Sequence, residues 1–260
     1  MMNTLADMLW IEMRKGLRSK MPLYTAVGSL LLPLAMAFML YVSRNPEISR
    51  KLGLISAKAT LMSDMAATWP AYLALFAQIL AIGGMTLCVL AISWVFGREF
   101  TDGTLKDLLA VPGPRGSILL AKFSVAALWS AALAILLFGL GLGLGALFDL
   151  PGGSSSILLQ GCVRAAITAG LVIAAMLPFA FFASLGRGYL LPIGVCFIVL
   201  ILANVVMAAG WGEYFPWAVL AIYAEGKEAL PTASFGIVLA TGLAGAVGTY
   251  LWWKYADQNR

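Results

Sequence analysis

Gly97-Arg98-Glu99-Phe100-Thr101-Asp102-Gly103-Thr104-Leu105-Lys106-Asp107-Leu108-Leu109-Ala110-Val111-Pro112-Gly113-Pro114-Arg115 interrupts two long apolar runs, residues 69–96 before it and 118–148 after it. Only 11% of this 260-residue chain is charged, so charge gathered in one connector marks a surface that meets something outside the apolar phase. Asp102-Gly103 reads as a turn. Thr104 stands where a helix cap would, with Asp107 three residues on in the capping-box position. Leu105, Leu108 and Leu109 share one face of the short helix that follows. Pro112 ends that helix, and Pro114 is placed to open the next. The stretch is therefore a short amphipathic helix between two turns.

The flanking runs belong to a longer series. The chain is 62% hydrophobic, more than a soluble domain of this length can bury. Six apolar segments stand out, at residues 22–42, 69–96, 118–148, 156–184, 189–208 and 233–253. Each is long enough to cross a ~30 Å hydrocarbon core with some tilt. None alternates apolar and polar residues, which argues for helices over a barrel. The expected fold is all-α and polytopic, one membrane domain over residues 1–260. Residues 1–20 form an interfacial helix, 97–117 a polar connector and 209–232 an external segment.

Residues 1–20 carry Asp7, Glu12, Arg14, Lys15, Arg18 and Lys20 without an apolar core before them, so they do not read as a signal peptide. At helical spacing Met2, Leu5, Ala6, Leu9, Trp10, Met13 and Leu17 share one face. Asn3, Asp7, Arg14 and Arg18 share the other, with Met8 and Ile11 as exceptions. This predicts a helix lying in the membrane interface, its basic face toward anionic lipid heads or a partner. With the N-terminus inside, eleven basic residues fall on the cytoplasmic side: Arg14, Lys15, Arg18, Lys20, Arg98, Lys106, Arg115, Lys122, Arg187, Lys254 and Arg260. Five fall outside: Arg44, Arg50, Lys51, Lys58 and Lys227. That bias predicts two cytoplasmic termini, although the first outer loop, 43–68, holds four of the five.

In the third segment, Gly139/Gly143 and Gly141/Gly145 both have the spacing that lets helices approach closely, and Ala240, Ala244 and Gly248 repeat it in the sixth. The seam either slides during transport or is static packing. Residues 214–223 are too short to cross a bilayer and too apolar for water. They fit a re-entrant or interfacial helix, with Trp217 and Tyr223 suited to the headgroup level. This is either an external lid or an aromatic anchor.

Much chemistry is absent. No P-loop appears, and without histidine no Ser-His or HExxH arrangement is possible. Cys88, Cys162 and Cys196 lie inside segments and form no CxxC pair, so neither a metal site nor a disulfide framework is expected. No carboxylate lies deep in a segment, which counts against a self-powered carrier. Arg164 is the one cation well inside. It either snorkels outward or faces the bundle interior. Gln78, Gln160 and Asn204 are candidate interhelical hydrogen-bonding groups.

Spans without an energy source, joined by a structured polar connector, suit a channel-forming subunit driven by a separate ATPase. The pattern Glu99-x-x-x-Gly103-Thr104-x-x-x-Leu108-Leu109-x-x-Pro112-x-x-Arg115, followed by Lys122, resembles the permease subunits of type-two ATP-binding-cassette exporters. The N-terminal helix with Glu12, Lys15 and Arg18, the six spans and the short hairpin before the last also fit. The resemblance covers essentially the whole chain. It is nearest to the permeases of bacterial drug and antimicrobial-peptide exporters, such as those linked to bacitracin or lantibiotic resistance.

The resemblance implies a non-enzymatic, multi-pass protein of the bacterial cell membrane. It also implies a second permease copy, as a homodimer or heterodimer, and two cytoplasmic ATPase subunits. No cofactor is expected on this chain, since ATP and Mg would bind the ATPase; membrane lipid is an expected partner and nucleic acid is not. Glu99, Gly103, Thr104, Leu105, Leu108, Leu109, Pro112 and Arg115 would couple to the ATPase. Trp10, Glu12, Arg14, Lys15 and Arg18 would form the interfacial helix. The second and fifth spans would line the path, with Gln78, Met85, Asn204 and Met207. Phe215, Pro216, Trp217 and Tyr223 would form an external gate. The cargo expected is a hydrophobic drug, an antimicrobial peptide or a lipid-like molecule. The rival readings are a secondary carrier and a non-transporting scaffold or sensor subunit.

Overall fold

The structure, a computed structural model, describes residues 4–45, 68–105, 108, 114–226 and 230–255. Among these residues every regular element is helical, and six helices are long and apolar enough to cross a membrane. They are Met21–Val42, Trp69–Thr101, Arg115–Leu147, Ser155–Leu185, Leu190–Ala208 and Thr232–Tyr255, here called the first to sixth spans. An N-terminal helix, α1 (Thr4–Arg18), precedes them. A one-turn 3-10 segment, Gly212–Tyr214, and a short helix, Pro216–Glu225, lie between the fifth and the sixth.

Prolines explain two of the breaks. Proline offers no N–H to the carbonyl four residues back and crowds it. The first span is divided at Leu30, one turn before Pro33, into Met21–Ser29 and Leu31–Arg44. The fourth is divided at Leu177, just before Pro178. The second span carries a wider π turn, Leu80–Gly84, in its middle. Such bulges concentrate at functional places in helices.

Small residues set the close contacts. In the third span the Gly141/Gly145 row packs on the second span: a Cβ on Gly141 would come within 2.5 Å of the Phe76 ring, and one on Gly145 within 2.6 Å of Trp69. The Tyr72 hydroxyl donates to Gly141 O at 2.6 Å across the same seam. Among the described residues, Gly139 and Gly143 meet nothing within 4 Å. In the sixth span the expected row Ala240/Ala244/Gly248 is not the seam: Ala240 and Ala244 are exposed. The contact is one register over. A Cβ on Gly242 would lie 2.5 Å from Ala174 O, and one on Gly245 would lie 2.3 Å from the backbone of Pro178. Glycine there lets the sixth span rest on the kink of the fourth.

Residues 43–67 of the first outer loop contain much of the expected outside charge, and 46–67 lie outside the described residues, as do Met2, Lys106, Asp107, Leu109, Pro112, Gly113 and Lys227.

Candidate functional site

Four charged side chains from three elements meet at the end of the bundle where α1 lies. Lys122, at the start of the third span, is fully buried, and its ammonium donates to Glu12 Oε2 at 3.0 Å, Glu99 Oε1 at 2.9 Å and Val95 O at 3.1 Å. All three of its donors are thereby used. Lys15 donates to Glu12 Oε1 at 3.1 Å and to Glu99 Oε1 at 2.9 Å. The remaining Glu99 oxygen accepts the Thr104 hydroxyl at 2.6 Å. Two carboxylates thus face two ammoniums and the cluster is neutral. Burial alone would lower the Lys15 pKa, but Glu12 and Glu99 outweigh it and hold that ammonium above the ordinary lysine value.

The Thr104 hydroxyl donates to Glu99, and the Thr104 carbonyl accepts from Leu108 N at 3.0 Å; the amides of Lys106 and Asp107, from which a capping hydroxyl would accept, lie outside the described residues. Arg98 pairs with Asp102, one turn on, at 3.1 Å. Leu105 and Leu108 are buried in the chain's own core. Gly103 makes the reversal after the second span with φ +69°, where a side chain would be strained.

In α1, Met8 and Glu12 turn toward the bundle while Trp10 and Leu17 are 66% and 73% exposed. Met8, an exception to the amphipathic pattern, is thus explained: the helix has one apolar face for the surroundings and a second strip for the protein.

The far end of the connector is also tied down. Arg115 Nη1 donates to Trp253 O at 2.8 Å and Lys254 O at 3.1 Å, at the C-terminal end of the sixth span. A cation there satisfies carbonyls that the helix leaves unpaired. The Trp253 indole donates to Ser184 Oγ at 2.9 Å, near the end of the fourth span, and its ring meets Phe96 and Phe100 edge-on. Gly97 packs so tightly that a Cβ would lie 2.9 Å from the Gly188 backbone, in the turn before the fifth span. One end of the bundle is therefore a clasp tying the connector to α1, to the third and sixth spans and to the turn before the fifth.

Of the expected path residues, Met85, Asn204 and Met207 come together with Trp217 around a crevice of only about 20 Å³. Gln78 is not among its walls. Asn204 spends its amide on Leu200 O at 2.8 Å. A far larger apolar cleft, about 450 Å³, opens between the third and fourth spans. Phe138, Gly139, Cys162, Ala169 and Ile173 line it, with Leu80 of the π turn. The sequence signal for it was Gly139, part of the small-residue row read as a sliding or static helix seam.

The short helix Pro216–Glu225 is built into the bundle. Pro216, Ala218, Val219, Leu220 and Ala224 are buried. Trp217 donates to Ala175 O at 3.2 Å and meets Phe179 and Phe215, while Tyr223 meets Phe235. Trp217 is thus packed on the fourth span. Gly226 ends this helix at φ +67°, with the Arg164 guanidinium packed where its Cβ would be. Arg164 therefore reaches the end of the short helix.

The description "ABC-2 family transporter protein" matches residues 8–204. Over 182 residues, 69% of this chain and 88% of the relative, the sequence is 28% identical to the bacitracin transport permease protein BCRB of Bacillus licheniformis.

Proposed function

This chain belongs to the ABC-2 transporter family and is a multi-pass membrane permease, and from that premise we propose that it exports a hydrophobic or amphipathic molecule under the drive of a separate cytoplasmic ATPase. Two permease copies would pair with two ATPase subunits, which hold ATP and Mg. Both termini would face the cytoplasm of a bacterial cell. The likeness to a bacitracin permease supports an antimicrobial peptide or drug as cargo. So does the cleft between the third and fourth spans, which has no charged residue in its wall.

The observation that carries the coupling part is the Thr104–Glu99–Lys122 chain of contacts, 2.6 Å and 2.9 Å long. Through it the connector is fixed to the ends of two spans and to α1. A push on the connector would move all three together.

The test is reconstitution with the partner ATPase. Thr104→Val removes the hydroxyl that grips Glu99 while keeping side-chain volume. Substrate-stimulated ATPase activity and export should both fall roughly ten-fold, the size expected for one hydrogen bond to a charged group. Wild-type export by both Thr104→Val and Glu99→Gln would overturn the coupling assignment.

A further inference from the structure

Beside the buried charge cluster lies a groove of about 390 Å³, lined by Trp10, Ile11, Arg14, Lys15, Arg18, Ser19 and Arg98. Four of these seven carry positive charge and none is acidic. Lys15 is committed to Glu12 and Glu99. Among the described residues, Arg14 and Arg18 have no carboxylate within ion-pair distance. Arg98 has Asp102 on its Nε at 3.1 Å and Trp94 beneath its guanidinium at 5.0 Å. Its Nη1 is shielded from solvent and has no hydrogen-bond acceptor among the described residues. A shielded guanidinium nitrogen without an acceptor is costly, and a guanidinium offers its donors in a fork that matches phosphate oxygens.

We propose that this groove binds the phosphate headgroup of an anionic phospholipid, one lipid per chain. The cations supply charge complementarity, and Arg98, Arg14 and Arg18 supply the donors. The lipid source follows from what borders the groove. Trp10 and Ile11 are in its wall, and Leu17 is 73% exposed beside them on α1. Leu23, Tyr24 and Val27, which open the first span directly after Ser19, are 62%, 60% and 55% exposed. A free phosphate has no use for an apolar rim; acyl chains do. Arg98 stands one residue from Glu99, so an occupied groove would press on the ion cluster and make the seating of α1 depend on the lipid. This does not depend on the identity of the cargo or on the ATPase.

Native mass spectrometry of the purified full-length permease from mixed phosphatidylglycerol and phosphatidylcholine micelles tests it. Wild type should retain one phosphatidylglycerol per chain in preference to phosphatidylcholine. Arg98→Gln should weaken that retention about five-fold and Arg14→Gln/Arg18→Gln more, by the usual contribution of a cation near an anionic surface. Leu239→Gln, a substitution on the exposed face of the sixth span, should change nothing. Inorganic phosphate alone should bind at least a hundred-fold more weakly than the lipid. Equal retention of both lipids by wild type, or unchanged retention by Arg98→Gln, overturns the proposal. Tight binding of inorganic phosphate overturns the lipid source. Loss of ATPase association by Arg98→Gln with lipid retention intact overturns it in favour of a protein partner.

Discussion

Lys122 and Glu99 form a salt bridge of 2.9 Å in which the lysine has no exposure and the glutamate 2%. Taking two charges out of water is costly, and the pair is tolerable because Glu12, Lys15, Thr104 and Val95 satisfy the remaining oxygens and protons. Removing one partner leaves the others uncompensated. Lys122→Met should therefore lower unfolding stability by about 3–5 kcal/mol, where an exposed pair would give ~0–1. Thermal unfolding in detergent checks this. A loss under 1 kcal/mol would mean that water reaches the cluster.

The pH dependence has a definite sign. Lys15 is held above the ordinary lysine value of 10.5, so its contribution to stability is complete below that value and is lost as pH rises through the higher folded value. Stability should be flat with respect to Lys15 from neutral pH up to about 10, then fall. Lys15→Met should remove that alkaline loss. Because Lys15 is 28% exposed, solvent screening reduces its contribution.

The six spans were legible in the sequence because apolar length decides them, and the observed ends fall within a few residues of the expected ones. Glu99 was legible as important; that Glu12 joins it was not. The pairing of Lys122 with Glu12 spans 110 positions of sequence, and only packing α1 on the third span brings them together. The glycine seam in the sixth span was misplaced because a small-residue row shows where helices can approach, and Ala240/Ala244 and Gly242/Gly245 are equally permissive until Pro178 kinks the facing helix. The Arg115 cap was invisible, since its acceptors are backbone carbonyls that carry no side-chain signature.

Those seams predict opposite outcomes for one substitution at two neighbouring glycines. Gly145→Ala puts a methyl group 2.6 Å from the Trp69 ring and should cost about 1–3 kcal/mol through overpacking. Gly143→Ala meets nothing within 4 Å among the described residues and, on a helix, should be neutral or slightly stabilising. Thermal unfolding of the two variants side by side decides it; equal effects would dismiss the assigned face.

The last prediction concerns the cleft between the third and fourth spans. Cys162 is half-buried in its wall, whereas Cys88 and Cys196 are buried in the core. A membrane-permeant maleimide should therefore modify Cys162 first. Its bulk would occupy a space of about 450 Å³, into which an apolar cargo would have to fit. Modification should block export in the reconstituted complex while leaving basal ATPase activity in place. Cys162→Ser, which removes the thiol at little change in volume, should export normally and resist the reagent. If the labelled protein exports as well as the unlabelled one, the cleft is a lipid-facing recess and the path lies elsewhere. The crevice at Met85, Asn204 and Met207 would then be the place to widen by substitution.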